Sequence, residues 1–338
     1  MSWKGVMVFA ECSGGRFEPV TYELLGKARE LADKTGQTVS CVAIGAGMKD
    51  AARDLLFYPV DRVLVYDARE FHHFTSGAYS AALEDAVLQE RPSVVLIGAT
   101  PLGRSLAPRV AVRFRTGLTA DCTGLDIRPS GELVQTRPAF GGNIMATILT
   151  RDARPQMATV RPKVMPRAER VSGVRGVIVD KQVSAPSALA NLAQHLRAVR
   201  PVSEIPQPKA ESIADAKVIV TCGRGVRSAK DLKMFGLLAE RLGGVLACSR
   251  PLVEKGWQPA SRQVGQSGRT VRPDVYIACG ISGAIQHVAG MSGSRTVIAI
   301  NSDRNAPIFE TANYGLVGDV YEVVPELLKA LGGAPDGR

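Results

Sequence analysis

Short apolar runs alternate with longer amphipathic stretches through the first half of the chain. Residues 5–10, 38–45, 62–66 and 93–99 are rich in Val, Ile and Leu with few polar interruptions, as expected of strands covered on both faces. Between them, 21–34, 48–57 and 78–90 carry helical spacing. Parallel neighbours need a crossover, so this βα alternation predicts a parallel sheet with helices on its faces. After Gly117 the pattern becomes more strand-like, with candidate strands at 131–137 and 157–160 and a helix near 185–199.

The proline-punctuated, polar segment PVSEIPQPKA at 201–210 interrupts the pattern, and a new series begins directly after it. It reads strand 217–222, helix 228–242, strand 244–248, loop, strand 274–279, helix 282–290, strand 295–300 and a closing helix around 324–331. The expected architecture is two α/β domains, 1–205 and 206–338, the second a doubly wound parallel sheet. There is no internal repeat and no low-complexity tract.

At 338 residues the chain can build two cores, and 45% hydrophobic with 22% charged residues is ordinary for a globular protein. The longest apolar runs fall far short of the roughly 20 residues that span a bilayer. Val6-Met7-Val8-Phe9 begins a strand almost at once and leaves no room for a targeting peptide, so the expectation is a cytoplasmic protein without membrane insertion. The net charge of +10 raises nucleic-acid binding as a question. The basic cluster Arg151, Arg154, Arg161, Lys163, Arg167 and Arg170 has no interleaved aromatics to stack on bases, and no DNA-binding motif is present. A solvated face, or a surface that docks an acidic protein partner, accounts for it better. Six scattered cysteines form no C-x-x-C pair, which disfavours zinc and iron–sulfur sites and suits a reducing compartment. Gly103, Gly141 and Gly142 are expected to serve turns.

Two glycine-rich segments carry the candidate chemistry. Gly223-Arg224-Gly225-Val226-Arg227-Ser228 follows a strand and opens a helix capped by Ser228, with Asp231 three residues on, close to a dinucleotide fingerprint. A nicotinamide site should place an acid at the end of the next strand, where this chain has Cys248-Ser249-Arg250. The second segment, QVGQSGRTVRPDVYIACGISGAIQHVAG at 263–290, joins a polar loop, a buried strand and a Gly/Ser helix start. That order builds a cradle for a phosphorylated ring cofactor, with one histidine, His287, a turn into the helix. Taken alone, His287 could be an ordinary core residue and Arg250 a strand-end ion-pair partner. A hydrolytic set of Ser282 or Ser267 with His287 and Asp319 lacks a nucleophile elbow. His72-His73 are expected to be surface residues pointing opposite ways rather than metal ligands.

The 263–290 stretch and its continuation AINSDRNAPIFETANYGLVGDVYEVVPELL resemble the electron-transfer flavoprotein alpha subunit. The resemblance extends to GATPLGRSLAPRVAVRFRTGLTADC, RPAFGGNIMATI and PQMATVRP in the first domain. It implies an FAD bound by the second domain, while the first forms a platform for a beta subunit that carries AMP or a second FAD. Carried over by position, it implies FAD contacts from Arg224, Ser249, Arg250, Gln263, Val264, Gly265, Gln266, Ser267, Ser282, Gly283, Ala284, Ile285, Gln286, His287, Asn301 and Asp319. Backbone N–H groups at Ser282 and Gly283 suit pyrophosphate oxygens, and the amides of Gln263, Gln266 and Asn301 suit polar cofactor atoms. Three residues match tuning positions of the family. His287 matches a donor where negative charge gathers at flavin N1 and the C2 carbonyl, Arg250 a guanidinium against the ring, and Ser267 a hydroxyl near N5, often Thr in the family. The resemblance implies an electron carrier between dehydrogenases, such as acyl-CoA dehydrogenases, and other redox partners. YIACGISGAIQH and FGGNIMATI are most similar to the flavin-bifurcating bacterial group. The alternatives are an NAD-dependent oxidoreductase and a non-redox assembly subunit.

Overall fold

The computed structural model describes residues 3–139, 144–174, 176–203, 205 and 213–332. The chain divides into two compact units, one comprising Met1–Ala139 and Met145–Ile205, the other built from Pro206–Arg338.

The first unit centres on a seven-stranded sheet ordered Val177–Lys181, Arg62–Asp67, Val39–Gly45, Val6–Ala10, Val94–Gly98, Gln156–Val160, Leu118–Cys122, with parallel pairing. The central strands are buried on both faces, which is why they read as continuous apolar runs. Helix Pro19–Thr35 seals one face through Val20, Leu24, Ala28 and Leu31, and Ser76–Glu90 with Pro101–Arg113 seals the other through Leu83, Leu106 and Val110. Each fully buried Leu or Val contributes about 1.5–3 kcal/mol.

The helix Pro101–Arg113 has no counterpart in the sequence reading, because Pro101, Gly103 and Pro108 interrupt the helical signal. Thr100 caps it by accepting a hydrogen bond from the Gly103 N–H at 3.0 Å. Gly103 therefore lies in a helix and not in a turn. A Cβ there would sit 1.9 Å from the Gly98 carbonyl oxygen, so its absence lets helix and strand approach. Gly141 and Gly142 lie outside the described residues. His72 and His73 also differ from expectation: their rings pack edge to face with centroids 4.5 Å apart. His72 is in the αR conformation after a 3₁₀ turn, not in extended backbone, so the two side chains do not point opposite ways. Within the basic segment, Arg161 pairs with Asp121 at 2.7 Å, and Arg170 pairs with Asp54 while lying over the Phe57 ring. No helix among the described residues is long and apolar enough to cross a membrane.

The second unit is a five-stranded parallel sheet ordered Val245–Cys248, Val218–Cys222, Val275–Cys279, Thr296–Asn301, Tyr314–Val317. In chain order this is 2-1-3-4-5, so the direction of winding reverses between Val218–Cys222 and Val275–Cys279, and a crevice opens beyond their carboxyl ends. Helices Leu232–Arg241 and Val320–Ala330 cover one face, and Val264, Val271, Met291 and Ile308 pack on the other. Cys222, Cys248 and Cys279 end three adjacent strands as buried residues, and burial raises their thiol pKa values.

The helix expected at 282–290 is confined to Ile285–Val288. Gly283 sits at φ +88, outside the helical region, so Ser282 and Gly283 precede the helix. The edge strand Tyr314–Val317 is missing from the sequence reading: its four exposed residues, interrupted by Gly315, are too short a run to show a strand pattern.

Candidate functional site

Main-chain contacts bind the strand ends of the second unit together. The Gly223 N–H donates to the Cys279 carbonyl at 2.9 Å, Ser249 N–H to Cys222 at 2.9 Å, and Gly280 N–H to Ile300 at 2.9 Å. The Gly225 N–H reaches the Gly280 carbonyl at 3.0 Å. A Cβ on Gly223 would meet the Gly280 oxygen at 2.3 Å, so only glycine lets these loops cross. The loop 263–269 is held on two sides, through Val264 N–H to the Cys248 carbonyl at 2.9 Å and Gln266 N–H to the Gln286 carbonyl at 2.7 Å.

These loops enclose a cavity of about 920 Å³. Its wall gathers Arg224, Ser249, Arg250, Gln263, Val264, Gly265, Gln266, Ser267, Ser282, Ala284, Gln286, His287, Asn301 and Asp319. Two expected residues are not on it. Gly283 packs against the backbone of Ile308, where a Cβ would lie 2.2 Å from the nitrogen, and Ile285 turns an exposed side chain outward. Arg227, Glu254 and Asp303 also line the cavity and escaped the sequence reading. Arg227 has its partner, Asp319, far along the chain and Asp303 lies in a loop, whereas Glu254 sits one helical turn from Arg250 and its i,i+4 spacing was the signal available for it.

Charge on the wall is largely matched. Arg227 pairs with Asp319 at 2.5 Å and Arg250 with Glu254 at 2.8 Å. Asp319 also caps Val320–Ala330 by accepting from the Tyr321 N–H at 3.0 Å. Arg224 is exposed and has no ion-pair or hydrogen-bond partner among the described residues. Asn301 is occupied by the fold, donating to the Ile281 carbonyl at 2.8 Å and accepting from the Asp303 N–H at 2.9 Å. Ser267 Oγ accepts from Gln263 Nε2 at 2.9 Å, which leaves its hydroxyl proton free to donate. Among the described residues, the backbone N–H groups of Ser282, Gly283 and Ala284 have no partner within the chain.

His287 is only 7% exposed. Its Nε2 lies 2.9 Å from the Tyr276 hydroxyl, and its buried Nδ1 has no partner. Burial lowers its pKa to about 4, so the ring is neutral at pH 7. The Val264 backbone opposes that shift in part but does not meet hydrogen-bond geometry at Nδ1. Tyr276 is fully buried, and burial raises its phenol well above the ordinary tyrosine range. The sequence carried a signal for it: a polar-tipped aromatic in an otherwise aliphatic buried strand needs a hydrogen-bond partner. A Ser-His-Asp set is not assembled, since His287 bonds Tyr276 while Asp319 bonds Arg227 and Tyr321.

A parallel sheet that opens at its switch point onto a glycine-walled crevice with free backbone N–H groups defines a nucleotide-cofactor-binding α/β protein. Residues 6–186 match the family model of the electron transfer flavoprotein domain, and residues 212–292 that of the electron transfer flavoprotein FAD-binding domain. The chain is 46% identical to the subunit LctC of lactate dehydrogenase (NAD(+),ferredoxin) from Acetobacterium woodii, over 99% of this chain and 79% of that protein. It is 44% identical to an electron transfer flavoprotein subunit alpha from Thermoanaerobacterium thermosaccharolyticum, over 97% of this chain and 98% of the relative. Protein FixB from Clostridium saccharobutylicum is 47% identical over 96% of each chain. The chain belongs to the electron transfer flavoprotein family, as an alpha subunit.

Its cofactor is FAD, and the family works as a heterodimer with a beta subunit. The site fits that group on three observations. The cavity has the volume of a large cofactor pocket, unpaired N–H groups and Arg224 suit a pyrophosphate, and His287 lines the cavity with an imidazole whose Nδ1 has no partner among the described residues.

Proposed function

We propose that this chain holds its FAD in the crevice between Val218–Cys222 and Val275–Cys279, with His287 as the principal electrostatic control on the cofactor's potential. The bound isoalloxazine supplies the one- and two-electron chemistry. Arg224 and the N–H groups of Ser282 and Ala284 hold the pyrophosphate, since they are a cation and donors of the wall without partners among the described residues. Ser267 offers its free hydroxyl proton toward the ring, and Arg250, tethered by Glu254, lies against it. His287, neutral and buried, supplies a hydrogen bond where negative charge gathers on reduction. Asn301 and Asp319 shape the wall by holding the Ile281 carbonyl and the Arg227 guanidinium.

Electrons pass between a dehydrogenase and a second redox partner, in the cytoplasm, through a heterodimer whose beta subunit carries AMP or a second FAD. An acyl-CoA dehydrogenase is one such donor. The six cysteines, all unpaired in the fold, agree with a reducing compartment. The relative LctC is named for both NAD(+) and ferredoxin, and this supports flavin-based bifurcation as the mode of the present chain.

The observation that carries the reading is the placement of His287 on the cavity wall with its Nδ1 unpartnered among the described residues. A hydrogen bond to a charged group is worth about 1.5–3 kcal/mol. At 59 mV per tenfold change for one electron, replacing His287 with a non-donor should lower the first reduction potential by about 60–130 mV. Spectroelectrochemical titration of the heterodimer measures this directly, and an unchanged potential refutes the assignment. Counting flavins per heterodimer separates the modes: two support bifurcation, one the simple carrier.

A further inference from the structure

We propose that Tyr276 is a positioning residue that fixes His287, on the wall of the cavity, in the tautomer bearing its proton on Nδ1, making the imidazole a neutral hydrogen-bond donor. The proposal rests on the reading of that cavity as the flavin site.

The phenol oxygen and Nε2 are 2.9 Å apart, and both side chains are buried. A neutral imidazole and a phenol bring one exchangeable proton each to this contact, so two arrangements exist. In the first, the phenol donates to Nε2 and the ring proton sits on Nδ1. In the second, Nε2–H donates to the phenol oxygen, Nδ1 presents a lone pair, and the phenol proton must find another acceptor. Among the described residues the phenol has no other acceptor in hydrogen-bond geometry. The Thr221 hydroxyl acts on the phenol but is buried outside hydrogen-bond geometry, without a partner of its own. Leaving a buried hydroxyl unmatched disfavours the second arrangement by roughly ten- to hundredfold in population.

The same logic explains why a tyrosine occupies the middle of an otherwise aliphatic strand. Tyr276 lies on the face of the sheet shared by Val264 and Met291, beneath the helix that carries His287. Phenylalanine would fill that space equally well and leave Nε2 without its donor. Burial also keeps the ring uncharged near pH 7, so control of the proton's position, and not of net charge, is what the tyrosine provides.

The test is ¹⁵N-histidine labelling of the full chain, with long-range ¹H–¹⁵N spectra of His287 assigned by comparison with His287→Gln. Spectra are taken without flavin and, with the beta subunit, loaded with FAD. The wild-type ring should show a protonated Nδ1 and an unprotonated Nε2 in both states. Tyr276→Phe should shift the ring toward the Nε2–H form and move the first reduction potential in the same direction as His287→Gln. A wild-type ring protonated on Nε2 overturns the proposal even if Tyr276→Phe does not fold, and so does an unchanged tautomer in a folded Tyr276→Phe protein. A wild-type Nδ1–H ring in a protein that retains no FAD refutes the flavin reading while leaving the Tyr276–His287 pairing standing.

Discussion

Acid should weaken the flavin-free second unit through His287, the only histidine in that part of the chain. Its pKa in the folded chain is about 4, against an ordinary value of 6.5. Below pH 6.5 the unfolded chain takes up a proton that the folded chain refuses, so stability falls as pH drops and levels off near pH 4. At about 1.4 kcal/mol per tenfold difference in proton affinity, the loss between pH 7.5 and pH 5 is about 2 kcal/mol, approaching about 3 kcal/mol at lower pH. Trp257 packs against the second unit's core, and substituting Trp3, the other tryptophan, with Phe makes its fluorescence a local probe. Urea titrations at pH 7.5, 6 and 5 on this background should show the midpoint falling by about 1 M or more across the series. His287→Gln cannot take up the proton and should lose about 2 kcal/mol less over the same range. Glu11, whose pKa burial raises to about 6, titrates in the same window with the opposite sign, but it lies in the first unit and is common to both proteins. Equal acid losses in the two proteins would falsify the claim that His287 is folded in its neutral form.

Two further substitutions test the cradle. Arg224→Ala should weaken FAD binding about tenfold at low ionic strength and flatten its salt dependence, because Arg224 is a cation of the wall with no partner among the described residues; equal affinities in a fluorescence titration count against a phosphate-facing role. Gly283→Ala must place a Cβ 2.2 Å from the Ile308 nitrogen at a φ of +88, and should cost about 1–3 kcal/mol in denaturant midpoint; a neutral result means that the loop relaxes freely.

The parts of this fold that are legible in the sequence follow short-range rules. Val275–Cys279 and Val218–Cys222 announce themselves as buried strands because parallel pairing leaves them no polar face. Ser228 and Asp231 form the capping box that their spacing predicts. What escaped depends on three-dimensional context. Tyr314–Val317 is a strand by virtue of its pairing with Thr296–Asn301 and carries no apolar alternation. The shortness of Ile285–Val288 follows from Gly283, at positive φ before it, and from Gly290 after it, where a Cβ would strike Gly265 Cα at 2.5 Å. The Arg227–Asp319 pair joins residues 92 apart in the chain, so neither side's role could be read locally. The resemblance placed Asp319 at the cofactor, and the structure adds that its carboxylate is engaged by a helix cap and an arginine. The crevice is legible from glycine spacing, whereas the identity of its occupant came from family likeness.

The crossing of Gly223 and Gly225 over Gly280 makes the floor of the crevice out of peptide groups alone. A platform of that kind is indifferent to which side chains surround it. Substitutions at Ser267, Arg250 or Gln266 can retune the electrochemistry of the prosthetic group without disturbing the seat on which it rests, so relatives serving different donors and acceptors can diverge at the rim while sharing one foundation.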